Sequence, residues 1–182
     1  KLVVISPNDP DAMNLYVTEC GQMNLPYLYD PSQQIVRMNA EDIRRGVEGA
    51  YALYVNEYEY QLLQKHTGFS QENILNIVSF LVVTLGADGA KIFAEGKEFY
   101  VPAFPVDNII DPTGVGDAFR GGFLRGYEMG FSWELCGKIG SLSAAYCLEQ
   151  NGTQAHHYSI EEFISRFQDY YGEDKNLQQL KK

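Results

Sequence analysis

The sequence predicts a three-layer α/β/α fold, with a mostly parallel sheet covered by helices on both faces and short antiparallel hairpins at one edge. Three observations carry this. Near-continuous apolar runs, LVVIS at Leu2–Ser6, YALYV at Tyr51–Val55 and FLVVTL at Phe80–Leu85, read as strands buried on both faces, the mark of parallel sheets. Helical stretches separate these runs, so strand and helix alternate. After Leu85 the rhythm changes to short strands divided by glycine turns, the pattern of hairpins.

In chain order, Leu2–Ser6 is the first strand. Asp9–Met23 follows as a helix, with Asp9 and Asp11 in its first turn, where the helix dipole favours acids. Pro26–Tyr29 (PYLY) is the next strand, and Asp30-Pro31-Ser32-Gln33 ends it as a turn. Ala40–Gly49 is a short helix, Tyr51–Val55 a strand, and Asn56–His66 and Ser70–Val78 two helices before the strand Phe80–Leu85. Ala90–Ala94, Glu98–Val101 and Val106–Ile110 are expected as short strands, with turns at Ala87-Asp88-Gly89 and Glu95-Gly96-Lys97. Helices at about Val115–Met129, Ser132–Gln150 and Ser159–Tyr170 complete the pattern, and the polar end GEDKNLQQLKK is expected to fray. Phe119, Phe123 and Tyr127 at helical spacing, with Trp133, belong to the core.

The 182 residues suit one domain or a large piece of a bigger one, and a 45% hydrophobic content supports a core. Twenty-four acids against 14 bases give a formal charge of −10 with no basic run, which argues against a nucleic-acid or anionic-membrane partner. A phosphate can still bind through local backbone amides. Cys20, Cys136 and Cys147 are odd in number and widely spaced, as for reduced thiols in a cytoplasmic protein. No cysteine or histidine has zinc-ligand spacing, and His156-His157 reads as surface. The most apolar stretch, Ile74–Leu85, is interrupted by Asn76 and Ser79, so no membrane-spanning run is expected. The opening KLVVIS reads as a strand already under way, which sets the expectation of a missing upstream portion.

Ligands of open α/β sheets sit beyond the carboxyl ends of the strands. Asn8, Asp30, Asn56, Gly86 and Asp111 are each expected to close a strand, and three motifs gather there. The first is Asp111-Pro-Thr-Gly-Val-Gly-Asp117, a glycine turn opening a helix. Gly114 and Gly116 permit positive φ, so successive amides can converge, and the helix start adds partial positive charge. The result is an anion hole. It is not a dinucleotide fingerprint, which needs glycine where Phe119 stands, nor a Walker A loop, which needs Gly-Lys-Ser/Thr where Gly121-Gly122-Phe123 stands. Asp117 would repel a phosphate held there. It makes sense as the group that orients an attacking hydroxyl and accepts its proton while the amides hold the transferring phosphoryl charge. The plainer account, an acid in a helix's first turn, stays open.

The second motif is Asn56-Glu57-Tyr58-Glu59, which spells a capping box and equally places Asn56 and Glu59 beside a magnesium-bound triphosphate, Glu59 reaching the metal through water. The third, Thr84-Leu-Gly-Ala-Asp-Gly89, is either an ordinary glycine turn or a stretch along a nucleotide that glycine lets come close.

In this order, NxxE, TLGxxG and DPTGVGDAFRGGFL, the motifs resemble the ribokinase-like (PfkB) family of carbohydrate and nucleoside kinases, and the resemblance runs from the first strand to about Phe163. SPNDP, DPSQQ and NGTQAHHYSIEEF look closest to bacterial adenosine kinase-like or sugar kinases. The resemblance implies an ATP-dependent kinase acting on a hydroxyl of a small sugar or nucleoside. Asp117 would be the base, and Gly114, Val115 and Gly116 the anion hole. Asn56 and Glu59 would serve Mg²⁺ and phosphate, and Thr84, Gly86 and Gly89 would lie near ATP. Cys147–Gly152 would border the adenine, and Asp111 and Thr113, with Gly152, would be nearest to a K⁺ ion. Three positions depart from the family pattern: Pro112 replaces Thr or Ser, Val115 replaces Ala, and Asp30–Gln33 carries no arginine. The resemblance begins in mid-family, so the expectation is the C-terminal nucleotide-binding and catalytic portion, residues 1–182, without the N-terminal part and β lid. Such a portion would be weakly active or inactive alone, and the resemblance extends to a homodimer of the full-length protein, with the oligomeric state of this chain left open. The alternatives are a non-catalytic nucleotide-binding fragment and a dinucleotide-dependent oxidoreductase, the latter opposed by the missing third glycine.

Overall fold

Six strands form one sheet whose spatial order follows the chain: β1 (Val3–Ile5), β2 (Tyr27–Tyr29), β3 (Ala52–Asn56), β4 (Phe80–Thr84), β5 (Ala90–Ala94) and β6 (Lys97–Val101). A computed structural model describes residues 1–181. The first four strands pair in parallel, with Ile5 against Tyr29, Leu28 against Ala52, and Asn56 against Thr84. Helices α1 (Pro10–Gln22), α2 (Ala40–Glu48), α3 (Glu57–Thr67) and α4 (Gln71–Ile77) connect them. Between β5 and β6 the two turn residues Glu95 and Gly96 have φ of 53° and 70°. Two positive φ values are what a type I′ hairpin turn needs.

The chain divides into two compact units, Lys1–Gly86 with Lys91–Phe99, and Ala87–Ala90 with the residues from Tyr100 on. In the first, alternate strand residues Ile5, Tyr27, Tyr29, Leu53, Val55, Leu81 and Val83 share one core with Met13, Val17, Ile43, Val47, Leu63 and Ile74 of the helices. Neighbouring parallel strands joined in sequence put their helices on one face. The residues between, Leu28, Ala52, Tyr54, Phe80 and Val82, are buried as well. This two-sided burial is why the strands read as unbroken apolar runs. Tyr27 and Tyr29 lie beneath α2, where Cβ atoms at Gly46 and Gly49 would stand 2.5 and 2.6 Å from the tyrosine rings and hydroxyls.

The second unit is helical: α5 (Val115–Glu128), α6 (Trp133–Leu148) and α7 (Ile160–Tyr171). α5 and α6 meet along small residues. A Cβ at Gly122 would fall 2.3 Å from Ser143 Oγ, one at Gly126 3.1 Å from Cys136 Cα, and one at Gly140 2.8 Å from Phe119 O. Ile139, Leu142 and Ala145 of α6 join Phe163, Ile164 and Phe167 of α7 in a core with Phe104. Arg166 pairs with Glu149 and lies over the rings of Tyr146 and Phe104.

Three expectations need correction. Val106–Ile110 forms no strand; its end bonds instead to the close of α6, through Ile110 N and Asp111 N to Leu148 O at 2.8 and 3.3 Å, so Asp111 follows a loop. Ile109 and Ile110 are 68% and 59% exposed. The tail does not fray over its length: Lys175–Lys181 is a 3-10 helix that buries Leu177 and Leu180 in the α6–α7 core. The DPSQQ segment is more than a turn, since Ser32–Val36 is a 3-10 helix with Ile35 buried.

Candidate active site

The candidate residues fall into two clusters, one in each unit. In the first unit the β3–β4 ladder ends with Asn56 beside Thr84, at the carboxyl edge of the sheet. Asn56 caps α3, accepting from Glu59 N at 2.8 Å, while Glu59 Oε2 accepts from Asn56 N at 2.8 Å. The capping box is therefore real. Glu59 does more, because its Oε1 accepts from the Ser32 hydroxyl at 3.1 Å. Ser32 has φ 41°, a left-handed conformation that costs a non-glycine residue about 1–2 kcal/mol. Such strain gathers where a side chain must be held in place. Sequence reading missed Ser32, and its place directly after a strand end was the available signal. Gly86 has φ 60° and open space where a Cβ would stand.

Gly89, on the second unit, differs from Gly86. A Cβ there would collide with Val101 O at 2.1 Å and Ala103 N at 2.7 Å. The close approach that demands glycine at 89 is to the chain's own backbone.

The second cluster surrounds the start of α5. Among the described residues, six of the seven α-helices begin under a side-chain cap, from Asp9, Asn39, Asn56, Ser70, Ser132 and Ser159. α5 begins on Gly114, with φ 83° and no side-chain cap. A helix start directs its first amides outward along the axis, with partial positive charge. Of the two glycines expected at positive φ, only Gly114 has it. A Cβ on Gly114 would meet Thr153 at 3.0–3.2 Å, whereas at Gly116 it would meet nothing within 4 Å. Gly114 is thus required by the fold, whereas Gly116 has open space where a Cβ would stand. Asp117 follows as the third helical residue, with its side chain 68% exposed and Oδ1 2.7 Å from Arg120 Nη2.

Asp111 ties this start to the end of α6. Its Oδ1 accepts from Thr113 N at 2.9 Å and its Oδ2 from Gly152 N at 3.0 Å. Bonds from the Thr113 side chain and backbone, then from the Gly152 amide, hold the Asp111 carboxyl below its usual pKa. Cys147 is fully buried, and its Sγ lies 3.5 Å from Thr113 O. Burial, then the charges of Asp111 and Asp117, push its thiol pKa up. The structure so brings together Asp111, Thr113, Gly114, Cys147 and Gly152. Among the described residues no group of three or more His, Cys, Asp or Glu could hold a metal ion, and no helix is long and apolar enough to cross a membrane.

Comparison with known proteins gives this arrangement a context. Residues 2–159 match the pfkB family carbohydrate kinase. The nucleoside kinase of Methanocaldococcus jannaschii is 29% identical over 168 residues, 92% of this chain and 55% of that protein. A solved structure of the Burkholderia thailandensis nucleoside kinase in complex with inosine superposes with a TM-score of 0.92 at 35% identity, covering 95% of this chain and 58% of that one. A ribokinase from Thermotoga maritima, 22% identical with TM-score 0.76 over 92% of this chain and 57% of its own, shares the fold. The expected fold class, α/β/α with a mostly parallel sheet and antiparallel edge strands, is thereby established. The chain spans little more than half the length of these relatives.

Proposed function

The chain belongs to the pfkB carbohydrate kinase family, and on that premise we propose that it is the nucleotide-binding and catalytic portion of an enzyme that phosphorylates a hydroxyl of a nucleoside or small sugar with ATP. The observation that carries the reading is the uncapped start of α5, with open space at Gly116 and an exposed carboxylate at Asp117. The partial positive charge of a helix start suits a phosphate. A carboxylate at the same place suits an acceptor hydroxyl rather than the phosphate itself.

In this reading Asp117 orients the hydroxyl and takes its proton as the oxygen bonds to the γ-phosphorus. The bond from that phosphorus to the bridging oxygen breaks, and ADP leaves. The amides of Val115, Gly116 and Asp117 stabilise the charge spread over the transferring group. Thr84 and Gly86 line the nucleotide, as does Gly89 by its backbone, and the Cys147–Gly152 segment borders the adenine. Mg²⁺ is bound mainly through substrate phosphates and water. Glu59, steadied by Ser32 and Asn56 N, would touch it through water. The ion would supply charge neutralisation on the phosphates. A K⁺ ion would sit by Asp111, Thr113 and Gly152, sharing the Asp111 carboxylate with two amides.

A nucleoside is the favoured acceptor, since two of the three relatives named above are nucleoside kinases and the Burkholderia enzyme is also described in an ADP–inosine complex. Three free, buried thiols support a cytoplasmic setting. Alone, with little more than half the length of its relatives, the chain is expected to bind nucleotide and to transfer weakly or not at all.

The test is γ-phosphoryl transfer from Mg-ATP to inosine, adenosine, cytidine and ribose, by the chain and by a chimera in which the N-terminal part of the Burkholderia enzyme precedes it. Transfer by the chimera that falls by about 10²–10⁴ in Asp117→Asn supports the reading. ADP binding without transfer by either would leave a non-catalytic nucleotide-binding unit.

A further inference from the structure

One charged residue beside Asp117 has no part in the proposed transfer. Arg120 stands one turn after Asp117, its Nη2 2.7 Å from Asp117 Oδ1. Arginine–acid pairs at this spacing occur twice more among the described residues, Arg45–Asp42 and Arg125–Glu128. There the arginine side chains are 49% and 46% exposed, whereas that of Arg120 is 12% exposed under a carboxylate that is 68% exposed. Exposed pairs tie down little, because both heads stay in water. Here the cation lies beneath and the carboxylate above it. Burial pulls the guanidinium's pKa down, yet arginine stays protonated in proteins and needs countercharge. The helix dipole gives no reason for a cation so near a helix start.

We propose that Arg120 is a positioning residue that holds the Asp117 carboxylate in a single rotamer at the start of α5. With Oδ1 engaged by the arginine, Oδ2 is the oxygen that meets the substrate hydroxyl. The catalytic consequence rests on the kinase reading; the positioning itself does not.

The deciding measurement is the Asp117 χ1 population in the 182-residue chain, from three-bond couplings of its side-chain carboxyl carbon to the backbone nitrogen and carbonyl. One rotamer is expected in the wild type, a partly restored preference in Arg120→Lys and averaging in Arg120→Met. Unchanged α5 amide shifts would show that the helix persists, and if Arg120→Met does not fold, Arg120→Lys decides. An averaged Asp117 in the wild type, or couplings indifferent to the arginine, overturns the proposal. In the chimera, Arg120→Met should lower kcat roughly 10- to 100-fold, with KM for ATP nearly unchanged and partial rescue by added guanidinium. Normal turnover in Arg120→Met also overturns it, whereas no turnover with Arg120 intact refutes the kinase reading and leaves the couplings to decide positioning.

Discussion

Gly121 and Gly122 are neighbours on one helix, and alanine should act on them in opposite directions. At Gly122 the added Cβ would stand 2.3 Å from Ser143 Oγ and 2.9 Å from both Ser143 Cβ and Ile139 O. The serine cannot turn away freely, because its buried hydroxyl bonds Ile139 O at 2.9 Å, and giving up such a bond costs about 1 kcal/mol. The carbonyl is backbone, so α5 and α6 must also part, at about 1–3 kcal/mol for an overpacked contact. Alanine's better helix propensity returns about 1 kcal/mol, so Gly122→Ala should lose about 1–3 kcal/mol overall. At Gly121 a Cβ meets nothing within 4 Å, and the propensity acts alone, for a gain of about 0.5–1 kcal/mol. In a chain of this size each kcal/mol moves Tm by about 2–4 °C. Urea and thermal melts followed by far-UV circular dichroism separate the two variants. If both move the same way, or Gly122→Ala is the more stable, the glycine seam between α5 and α6 is not close-packed and the reasoning fails.

Gly116→Ala should leave stability within about 1 kcal/mol yet weaken binding of a non-hydrolysable ATP analogue by about tenfold or more, a loss of at least about 1.4 kcal/mol, as read by titration calorimetry; unchanged affinity would remove Gly116 from the anion hole. The Asp111 carboxyl titrates below its usual range in the folded chain, so its contribution is present above that range and lost as pH falls through the folded value. The stability gap between wild type and Asp111→Asn should therefore be open at neutral pH and close in acid, and a gap independent of pH in urea melts would contradict the clasp. Leu177 is fully buried, so Leu177→Ala should cost about 2 kcal/mol or more, against almost nothing if the tail were loose.

The strands of the parallel sheet were legible because burial on both faces leaves an uninterrupted apolar run, as at Leu53–Val55 and Phe80–Val83. The same signal misled at Val106–Ile110. A run such as VDNII has the composition of a strand, but pairing needs a neighbour, and this one met the end of α6 instead. The tail failed in the other direction: Leu177 and Leu180, three apart among polar residues, are too few to show a periodicity, yet one face of a short 3-10 helix sufficed to bury them. At the site, Asn56 and Glu59 were legible as a capping box, which the structure contains; a second partner for Glu59, 27 positions away in sequence, lay beyond any local pattern. Arg120 escaped notice because a charge on an amphipathic helix ordinarily marks the solvated face, and only three-dimensional burial distinguishes it from Arg125.

The tie between Asp111 and Gly152, together with the glycine seam, gives the second unit a property that neither has alone. Asp111 leads through the turn into α5, the seam joins α5 to α6, and α6 ends at the loop whose Gly152 amide returns to Asp111. The path is a closed frame, and a frame fixed at every corner has few internal motions. The start of α5 cannot tilt without carrying α6 and its terminal loop along. Dipoles that do not need to reorient when charge arrives stabilise that charge at no reorganisation cost. The turn's amides should accordingly show ¹⁵N order parameters as high as those of the helices they join, about 0.85, which is stiffness more typical of a core than of a glycine loop.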